Sequence, residues 1–418
     1  MTPEELQLLT DSDVEALIRE HEADDPAEFA MQFHGRKDLP VRAMAEQIAA
    51  RRKASKKLPM LSRHQLLYTT ISLEQASGER TARYKASLTS GVRLIDLSGG
   101  LGIDALFFAG VFQEVVYCER DALLSAIARH NFQRAGVGNI EVTNAESIEH
   151  LASYPDNHFD WIYLDPARRE HLRRSVALEA SSPDVVACHD LLLRKARRVM
   201  VKASPAVETS TLKALLPALS SIIVLSVDGE CRETLLLLDR DAAAQPESVS
   251  AVCLSTGSDA VKRIVRDSAS QRVTATALKA CFYEPDPAII KARVASELAS
   301  GYGLEFVNHT VDYLVSDTLI ESFPGRGFRM VECVPYKPKT FKAFLKRNGI
   351  SGASIQRRDF PLSSQELRKL FRLRESDRNY LFFTRDAEGS AVCFYCVKPS
   401  LEEAQAPLVQ DRSEVPEC

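Results

Sequence analysis

The chain has 418 residues, of which 45% are hydrophobic and 26% charged, and its formal net charge is −4. This length predicts roughly two to four domains, and the composition is typical of globular proteins. No apolar run approaches the roughly 18 residues of a membrane-spanning helix, and the acidic N-terminus lacks the apolar core of a secretion signal. We therefore expect a cytoplasmic protein.

Residues 1–70 have apolar positions at helical spacing and are predicted to form a helical region. Residues 71–240 alternate between strand-like and helix-like segments, which predicts a parallel sheet with crossover helices. We predict strands at 92–97, 114–119, 139–143, 159–164, 197–203, 221–227 and 232–238, and helices at 103–111, 121–136, 145–151, 184–195 and 208–218. Asp228-Gly229 predicts a hairpin that turns the last strand antiparallel. The expected fold is a seven-stranded Rossmann-like α/β sheet.

Residues 239–250 are polar and are predicted to be a linker, followed by mixed elements over 250–325. Residues 326–400 form a basic region, because 13 lysines and arginines stand against three acids between Arg326 and Arg374. Such an asymmetry predicts a module that faces a polyanion. The acidic tail 401–418 is predicted to be disordered.

The nine cysteines are scattered, and Cys393 and Cys396 form the only C-x-x-C pair. No second pair completes a zinc site. The sequence therefore predicts reduced thiols and no metal.

An acid and a glycine-rich loop follow the first predicted strand, in the order D-L-S-G-G-L-G-I-D at 96–104. In a dinucleotide-binding loop the glycines follow the strand directly, and the acid lies about 20 residues further on. Here Asp96 precedes the glycines and Glu119 ends the next strand, so both acids are present. This arrangement favours S-adenosylmethionine (SAM) and a class I methyltransferase; the alternative is a Rossmann-like domain that binds no SAM.

The first half of the predicted pocket would hold the methionine part of SAM. Asp96 would bind the amino group, and the turn through Ser98, Gly100 and Gly102 lets the backbone approach the cofactor. The following helix has Asp104 in its first turn, a further pocket candidate, and points its positive end at the carboxylate.

The second half would hold the adenosine. Glu119 has two oxygens for the two ribose hydroxyls, and either Arg120 or Asp121 flanks it in the pocket. Asn144, after the third strand, would accept a hydrogen bond from the adenine amino group.

Asp165-Pro166-Ala-Arg168 follows the fourth predicted strand. The acid and a carbonyl of this turn can accept hydrogen bonds from an exocyclic amine and orient its nitrogen lone pair. Amine methyltransferases usually read D-P-P-[FY]; here Arg168 can stack on a base or bind phosphate, and Arg169 extends the positive charge. The alternative for these arginines is a set of salt bridges at the mouth of a loop.

D-P-x-R also occurs in uracil-C5 methyltransferases, which attack through the cysteine of an S-C-N-P segment on the next strand. The corresponding segment here is K-A-S-P at 202–205, with Ala203 at the nucleophile position. Covalent C5 chemistry is therefore not expected, and direct transfer to nitrogen or oxygen remains.

The segment 72–82 precedes the first strand and is similar to an E-Q-x-x-T element that covers the SAM tail in adenine-amine methyltransferases. Glu74, Gln75 and Thr81 are therefore further pocket candidates. The alternative is an ordinary helix cap followed by a loop.

With these motifs in view, the chain resembles a bacterial family of SAM-dependent methyltransferases with a C-terminal THUMP-like domain. The resemblance is carried by S-L-E-Q-A-S at 72–77, D-L-S-G-G-L-G-I-D at 96–104, Y-L-D-P-A-R-R at 163–169, V-K-A-S-P at 201–205, Y-E-P-D-P-A-I-I-K-A at 283–292, F-P-G-R-G-F at 323–328 and R-R-D-F-P-L-S-S-Q-E-L-R-K-L at 357–370. It implies an α+β ferredoxin-like segment at 250–325, a THUMP-like domain at 326–400 and methylation of tRNA or rRNA. The glycine loop is also similar to that of an rRNA guanine-N2 methyltransferase family, which favours a guanine amine.

Cations of the basic region alternate with aromatic residues, a composition suited to RNA because cations neutralise phosphates. The predicted RNA-binding residues are Arg169, Lys337, Lys339, Arg357 and Arg358. Phe341 and Phe344 are predicted to be core residues of a helix. Two alternatives remain: a non-catalytic assembly factor that binds SAM and RNA, and a methyltransferase of proteins or small molecules.

Overall fold

The computed structural model describes residues 1–168, 178–242 and 247–399; the side chains of Arg168 and Ala180 are not among the described parts. The chain divides into two compact units, Met1–Ile222 with Glu233–Glu247, and Ile223–Arg232 with Ser248–Cys418. Arg169 and the predicted disordered tail 401–418 lie outside the described residues.

The first unit begins with six helices, most of which start at a polar cap. Thr2, Asp11 and Asp25 each accept a hydrogen bond from a backbone N–H of the helix that follows. The helices are α1 (Pro3–Leu9), α2 (Ser12–Glu20), α3 (Pro26–Gln32), α4 (Val41–Lys57), α5 (Thr70–Gln75) and α6 (Glu79–Ser87). Their apolar faces pack in one core with residues of the sheet such as Leu94 and Tyr163. The predicted helical region 1–70 and the predicted sheet domain thus share a core.

The first sheet follows the predicted topology over seven strands, and residues 223–232 in the last two of these belong to the second unit. Its strands are β1 (Arg93–Asp96), β2 (Glu114–Cys118), β3 (Ile140–Thr143), β4 (Phe159–Leu164), β5 (Ala196–Ala203), β6 (Leu219–Val227) and β7 (Glu230–Asp239). They lie in the order β3-β2-β1-β4-β5-β7-β6. Strands β1 to β5 pair in parallel, and β7 runs antiparallel to β5. The carboxyl ends of the parallel strands β1 to β5 therefore meet at one edge, where such sheets bind ligands.

The crossover helices are α7 (Ile103–Phe108), α8 (Ala122–Arg134), α9 (Ser147–Ser153), α10 (Val185–Lys195) and α11 (Leu212–Leu215). Helix α11 has four residues where 208–218 was predicted, and Pro217 soon after its end cannot continue a helix. Short 3₁₀ turns occur at Leu61–His64, Leu178–Ala180 and Arg240–Ala242, and a two-residue ladder pairs Ala167–Arg168 with Ser181–Ser182.

The second unit contains an antiparallel hairpin and a seven-stranded sheet. The hairpin consists of β8 (Ser248–Ser255) and β9 (Ser258–Val265). In the strand order β8 lies next to β6, so the first sheet has nine strands where seven were predicted. The sheet and its helices are β10 (Cys281–Pro285), α12 (Pro287–Ala292), α13 (Ala295–Tyr302), β11 (Glu305–Phe306), β12 (Leu314–Ser316), β13 (Gly325–Pro335), α14 (Pro338–Arg347), β14 (Ser354–Arg357), α15 (Ser364–Phe371), β15 (Asn379–Arg385) and β16 (Ala391–Val397). The strand order is β11-β12-β10-β13-β16-β15-β14.

The segments predicted as ferredoxin-like and THUMP-like share this sheet, because β10 pairs antiparallel with β13 across the predicted border. Phe341 and Phe344 of α14 are buried in a core cluster with Phe360 and Leu367, which confirms their predicted core role. Within the described ranges, no helix is long and apolar enough to span a membrane, and no group of three or more His, Cys, Asp or Glu is arranged to hold a metal ion.

Candidate active site

Two acids meet at the carboxyl ends of the adjacent strands β1 and β4. Asp96 ends β1, and Asp165 directly follows β4. The Ser98 hydroxyl joins them: it donates a hydrogen bond to Asp96 Oδ1 at 2.8 Å and accepts one from the backbone N–H of Asp165, also at 2.8 Å. The structure therefore brings three predicted site residues into one hydrogen-bonded group.

Asp96 is almost completely buried, with 1% of its surface exposed. Burial raises the pKa of Asp96 to about 7, and the neighbouring charges of Asp104 and Asp165 add to this effect. The two described lysines at this edge, Lys85 and Lys202, form ion pairs with other acids. A buried carboxyl group in this situation is stabilised by a cationic ligand, which would restore its charged form.

Two glycines of the loop, Gly102 and Gly100, differ in the space beside them. Gly102 has a φ of +71°, and a Cβ there would lie 2.4 Å from the Phe132 ring. Gly100 has a φ of +65°, but the nearest atom to a Cβ there is the carbonyl oxygen of Ser98 at 4.0 Å. Packing of the chain itself thus requires Gly102, whereas the space beside Gly100 is open and wide enough for a ligand to approach the backbone.

Glu119 fixes the opposite side of this loop. Its Oε2 accepts a hydrogen bond from the backbone N–H of Gly100 at 2.7 Å, and its Oε1 accepts one from that of Asp121 at 2.7 Å. Each carboxylate oxygen can accept a further hydrogen bond, because the group has about four acceptor sites. Two neutral hydroxyl donors therefore suit this position.

Asn144 braces the segment after β2. Its amide nitrogen donates hydrogen bonds to the carbonyl oxygens of Glu119 at 2.8 Å and Arg120 at 3.0 Å. The two amide hydrogens are thus used, and the side-chain carbonyl is the group that can accept from a ligand. The Arg120 side chain is exposed and lies 3.8 Å from Glu146.

Asp104 belongs to a buried charge cluster that was not predicted. Its Oδ2 accepts hydrogen bonds from the hydroxyls of Ser77 and Tyr163, each at 2.7 Å. The ammonium group of Lys85, which has no exposed surface, lies 3.0 Å from Asp104 Oδ1 and 3.2 Å from Glu233 Oε1. Both oxygens of the Asp104 carboxylate therefore contact groups of the protein rather than a ligand. These contacts fix the start of α7.

Burial alone would raise the pKa of Asp104, but the charges of Lys85 and Lys202 outweigh it and lower this pKa. For Glu233 burial prevails, and its pKa is raised. Sequence reasoning did not identify Lys85 or the partner of Glu233, because residues that meet across this cluster are as far as 148 positions apart in the chain.

Lys202 was missed as well. Its ammonium group lies 2.5 Å from Asp165 Oδ2, and its side chain is 14% exposed. A signal for this pair was present in the sequence, since the predicted strands 159–164 and 197–203 are neighbours in a class I sheet and end at the same edge.

The remaining pocket candidates have other contacts. The exposed Glu74 forms an ion pair with Lys53 at 3.2 Å, and Gln75 is also exposed. The buried Thr81 donates a hydrogen bond to the Gly78 carbonyl oxygen at the start of α6. Pro166 is half-buried beside Asp165. The predicted Arg168 side chain and Arg169 fall outside what the structure describes.

The predicted RNA-binding cations differ in their surroundings. Lys337, Lys339 and Arg357 are exposed. Arg358 is half-buried: it donates hydrogen bonds to Glu284 Oε1 at 3.2 Å and to the Asp312 carbonyl oxygen at 3.0 Å. Its guanidinium is thus engaged within its own unit, which leaves it less suited to contact phosphate than the other three.

Helix α14 presents a row of lysines that extends the prediction. Lys339, Lys342 and Lys346 are exposed and lie at positions i, i+3 and i+7, which share one helix face. The buried Phe341 and Phe344 form the opposite face. The adjacent Arg347 differs, because it lies 2.6 Å from Glu332 Oε1 in an ion pair.

Comparison with known proteins gives matches to both units. Residues 325–398 match a family model described as THUMP domain-like. An uncharacterised SAM-dependent methyltransferase of Mycobacterium tuberculosis (strain H37Rv) is 25% identical over 363 residues, which cover 85% of this chain and 97% of that protein. A crystal structure of a protein from Porphyromonas gingivalis W83, named as a methyltransferase, is 26% identical with a TM-score of 0.79, and covers 93% of this chain and 98% of that one.

These similarities, together with the sheet order, confirm the predicted class. The chain is a class I SAM-dependent methyltransferase with a C-terminal THUMP-like domain, and SAM is its cofactor. The predicted α/β fold is confirmed as well.

Proposed function

We propose that the protein methylates an exocyclic amine of a base in tRNA or rRNA. The observation that carries this proposal is the Ser98 bridge, which places Asp165 two hydrogen bonds from Asp96. If Asp96 receives the amino group of SAM, the Asp165-Pro166 turn lies beside the methyl donor. An acid in that place suits an amine acceptor, because it can accept a hydrogen bond from the N–H group.

The residues at this edge fit SAM in three parts. Asp96 binds the ammonium group, which relieves the cost of its burial, and the backbone at Gly100 lies against the cofactor. Glu119 receives the ribose hydroxyls on its free acceptor sites, and the Asn144 carbonyl receives the adenine amino group. Asp104 contributes indirectly, by anchoring the loop.

When bound, SAM would supply the methyl group, and the electrons of the broken carbon–sulfur bond would stay on sulfur. The amine lone pair would form the new bond to carbon, and the amine would then lose a proton. The chain contributes alignment: Asp165 and the adjacent carbonyl orient the amine so that its lone pair faces the methyl carbon. Asp165 or solvent water receives the proton. In this proposal Arg168, which follows the Asp165-Pro166 turn in the sequence, contacts the base or its phosphate.

The second unit supports a nucleic-acid substrate. Its lysine row on α14 repeats at about 4.5 and 6 Å along the helix axis, a spacing suited to successive phosphates. Most aromatic residues of this region are buried, and Tyr336, Phe371 and Tyr395 are partly buried, so binding depends on charge more than on stacking. We infer that the protein meets its RNA in the cytoplasm.

Purified protein incubated with tritiated SAM and total RNA from a strain that lacks the gene tests this proposal. We expect label in a tRNA or rRNA band with the wild-type protein, and none with Asp165→Ala, although that variant still binds SAM. Asp156→Ala is a matched control, since Asp156 also pairs with a lysine, Lys195 at 3.0 Å, but away from this edge.

Label in a protein fraction would instead indicate a protein methyltransferase. Absence of label in spite of calorimetric SAM binding would indicate the non-catalytic RNA-binding role.

A further inference from the structure

We propose that Lys202 is a positioning residue, which fixes the carboxylate of Asp165 through Oδ2 and so leaves Oδ1 oriented toward the substrate amine. This inference rests on the proposed function for its catalytic consequence. Its structural part, that Lys202 orients Asp165, can be tested without turnover.

The sheet register makes the two residues neighbours. Strands β4 and β5 pair in parallel with Leu164 opposite Val201, so the next pair in register is Asp165 and Lys202. Side chains at matched positions of paired strands lie on the same face of a sheet. The 2.5 Å ion pair between Lys202 Nζ and Asp165 Oδ2 follows from this register.

Asp165 is restrained at its backbone as well as at its side chain. Its N–H donates to the Ser98 hydroxyl, and the following Pro166 limits its backbone to extended conformations. The ion pair of Oδ2 with Lys202 restricts rotation of the carboxylate. The position from which Oδ1 can accept a hydrogen bond is therefore restricted as well. Such preorganisation matters, because a misplacement of about 1 Å can cost about 100-fold in rate.

Lys202 itself is suited to act as a permanent cation. Burial would lower the pKa of Lys202, but the charges of Asp165, Asp104 and Glu233 outweigh it and raise this pKa. A lysine that acts as a general base would need a lowered pKa instead. Lys202 therefore remains charged and can hold Asp165 throughout the reaction.

The buried cluster of Lys85, Asp104 and Glu233 lies on the interior side of the Lys202–Asp165 ion pair. Lys85 makes the ion-pair contacts with Asp104 and Glu233, and the ion pair of Lys202 is with Asp165. The side-chain exposure of the pair rises from 14% at Lys202 to 37% at Asp165, so that the acid lies on the accessible side.

A double-mutant cycle tests the inference on the acceptor that the wild-type protein methylates. We expect Lys202→Met to lower kcat about 100-fold in the wild-type background, with the Kd for SAM unchanged. In an Asp165→Asn background the same substitution should change kcat less than threefold, because the residue through which Lys202 acts is already altered. Equal losses in both backgrounds, or an unchanged kcat, would overturn the inference.

Three variants complete the test. Lys195→Met removes another lysine that pairs with an aspartate and should leave kcat unchanged. Lys202→Arg retains the charge and should restore kcat to within tenfold of wild type. Lys202→Gln replaces Lys202→Met if the latter does not fold, with the same expected loss.

Crystal structures of the wild type and of Lys202→Met give a readout that does not depend on activity. We expect a single orientation of the Asp165 carboxylate in the wild type and a rotated or disordered one in the variant; an identical orientation in both would overturn the inference. If the wild type methylates no RNA, the proposed function fails, and this comparison still decides whether Lys202 orients Asp165.

Discussion

The hydroxyl of Ser98 accepts a hydrogen bond from the backbone N–H of Asp165 at 2.8 Å. The same hydroxyl donates to Asp96, so one small side chain links the predicted cofactor acid to the predicted catalytic acid. The link forms because β1 and β4 are adjacent and parallel. A serine two residues after β1 can therefore reach the first residue after β4.

Ser98→Ala removes this link while the backbone N–H of residue 98 still donates to Asp96. We expect kcat/KM for SAM to fall about tenfold, which corresponds to about 1.4 kcal/mol and the loss of a hydrogen bond to a charged group. Steady-state kinetics measure this change. Ser153→Ala, at an exposed helix end, is the control; equal kinetics for Ser98→Ala and wild type would refute the role of the link.

The glycine loop allows stability and cofactor binding to be separated. Gly102, Gly100 and Gly136 have φ values of +71°, +65° and +71°, but a Cβ would clash only at Gly102 among these three. Gly136→Ala thus reports the backbone strain alone, about 1 kcal/mol. Gly102→Ala should cost a further ~1–3 kcal/mol in the free energy of unfolding, measured in urea.

Gly100→Ala should match Gly136→Ala in stability, because space is open at its Cβ. Its affinity for SAM should nevertheless fall at least about tenfold, since the methyl group occupies this space. Calorimetry measures this affinity. Unchanged SAM binding by Gly100→Ala would show that the cofactor lies elsewhere.

Asp96 predicts a pH dependence of cofactor binding. Its pKa of about 7 means that the free protein carries a proton on Asp96 below neutrality, whereas a bound ammonium group favours the ionised form. The Kd for SAM should therefore fall about tenfold as the pH rises from about 6 to 8, and binding below pH 7 should release protons. Calorimetry in buffers of different ionisation enthalpy measures both; a Kd that does not change over this range would contradict the assignment.

The Asp96 carboxyl group also makes the free energy of unfolding depend on pH, in the direction opposite to that of an ordinary aspartate. Its folded pKa exceeds the unfolded value of about 3.9, so the folded protein binds more protons between about pH 4 and 7. The Asp96 contribution to stability is thus present at low pH and is lost as the pH rises through 7. Asp96→Asn should remove this component from the pH profile of the free energy of unfolding.

Two neighbouring cations on α14, Lys346 and Arg347, differ in their surroundings: Lys346 is exposed, whereas Arg347 forms an ion pair with Glu332. Lys346→Ala should weaken RNA binding and reduce the slope of log K against log salt by about 0.7, whereas Arg347→Ala should change it less because Arg347 pairs with Glu332. Filter binding over a range of salt concentrations gives the slopes. Identical slopes for wild type and Lys346→Ala would remove α14 from the RNA-binding surface.

The sequence predicted the sheet and the strand-end residues because both depend on local patterns. Asp96, Ser98 and Glu119 follow strands whose apolar runs are visible, and parallel pairing brings those ends together. The pairing of Lys85 with Glu233 was not predictable in this way, because it depends on packing between α6 and the last strand of the sheet.

The basic region shows the same limit of local patterns. A count of charges predicted Arg358 as an RNA contact, but the fold places Glu284 beside it. Helical spacing aligns Lys339, Lys342 and Lys346 on one exposed face, which makes them stronger candidates for RNA contact. A count of charges does not show this alignment.

The most direct test of the account is nucleoside mass spectrometry of RNA incubated with the protein and SAM that carries a deuterated methyl group. We predict a labelled nucleoside in tRNA or rRNA whose fragments retain the label on the base, at an exocyclic amine, and its loss with Asp165→Ala. Label on a ring carbon or on ribose, or label confined to protein, would contradict the proposed chemistry.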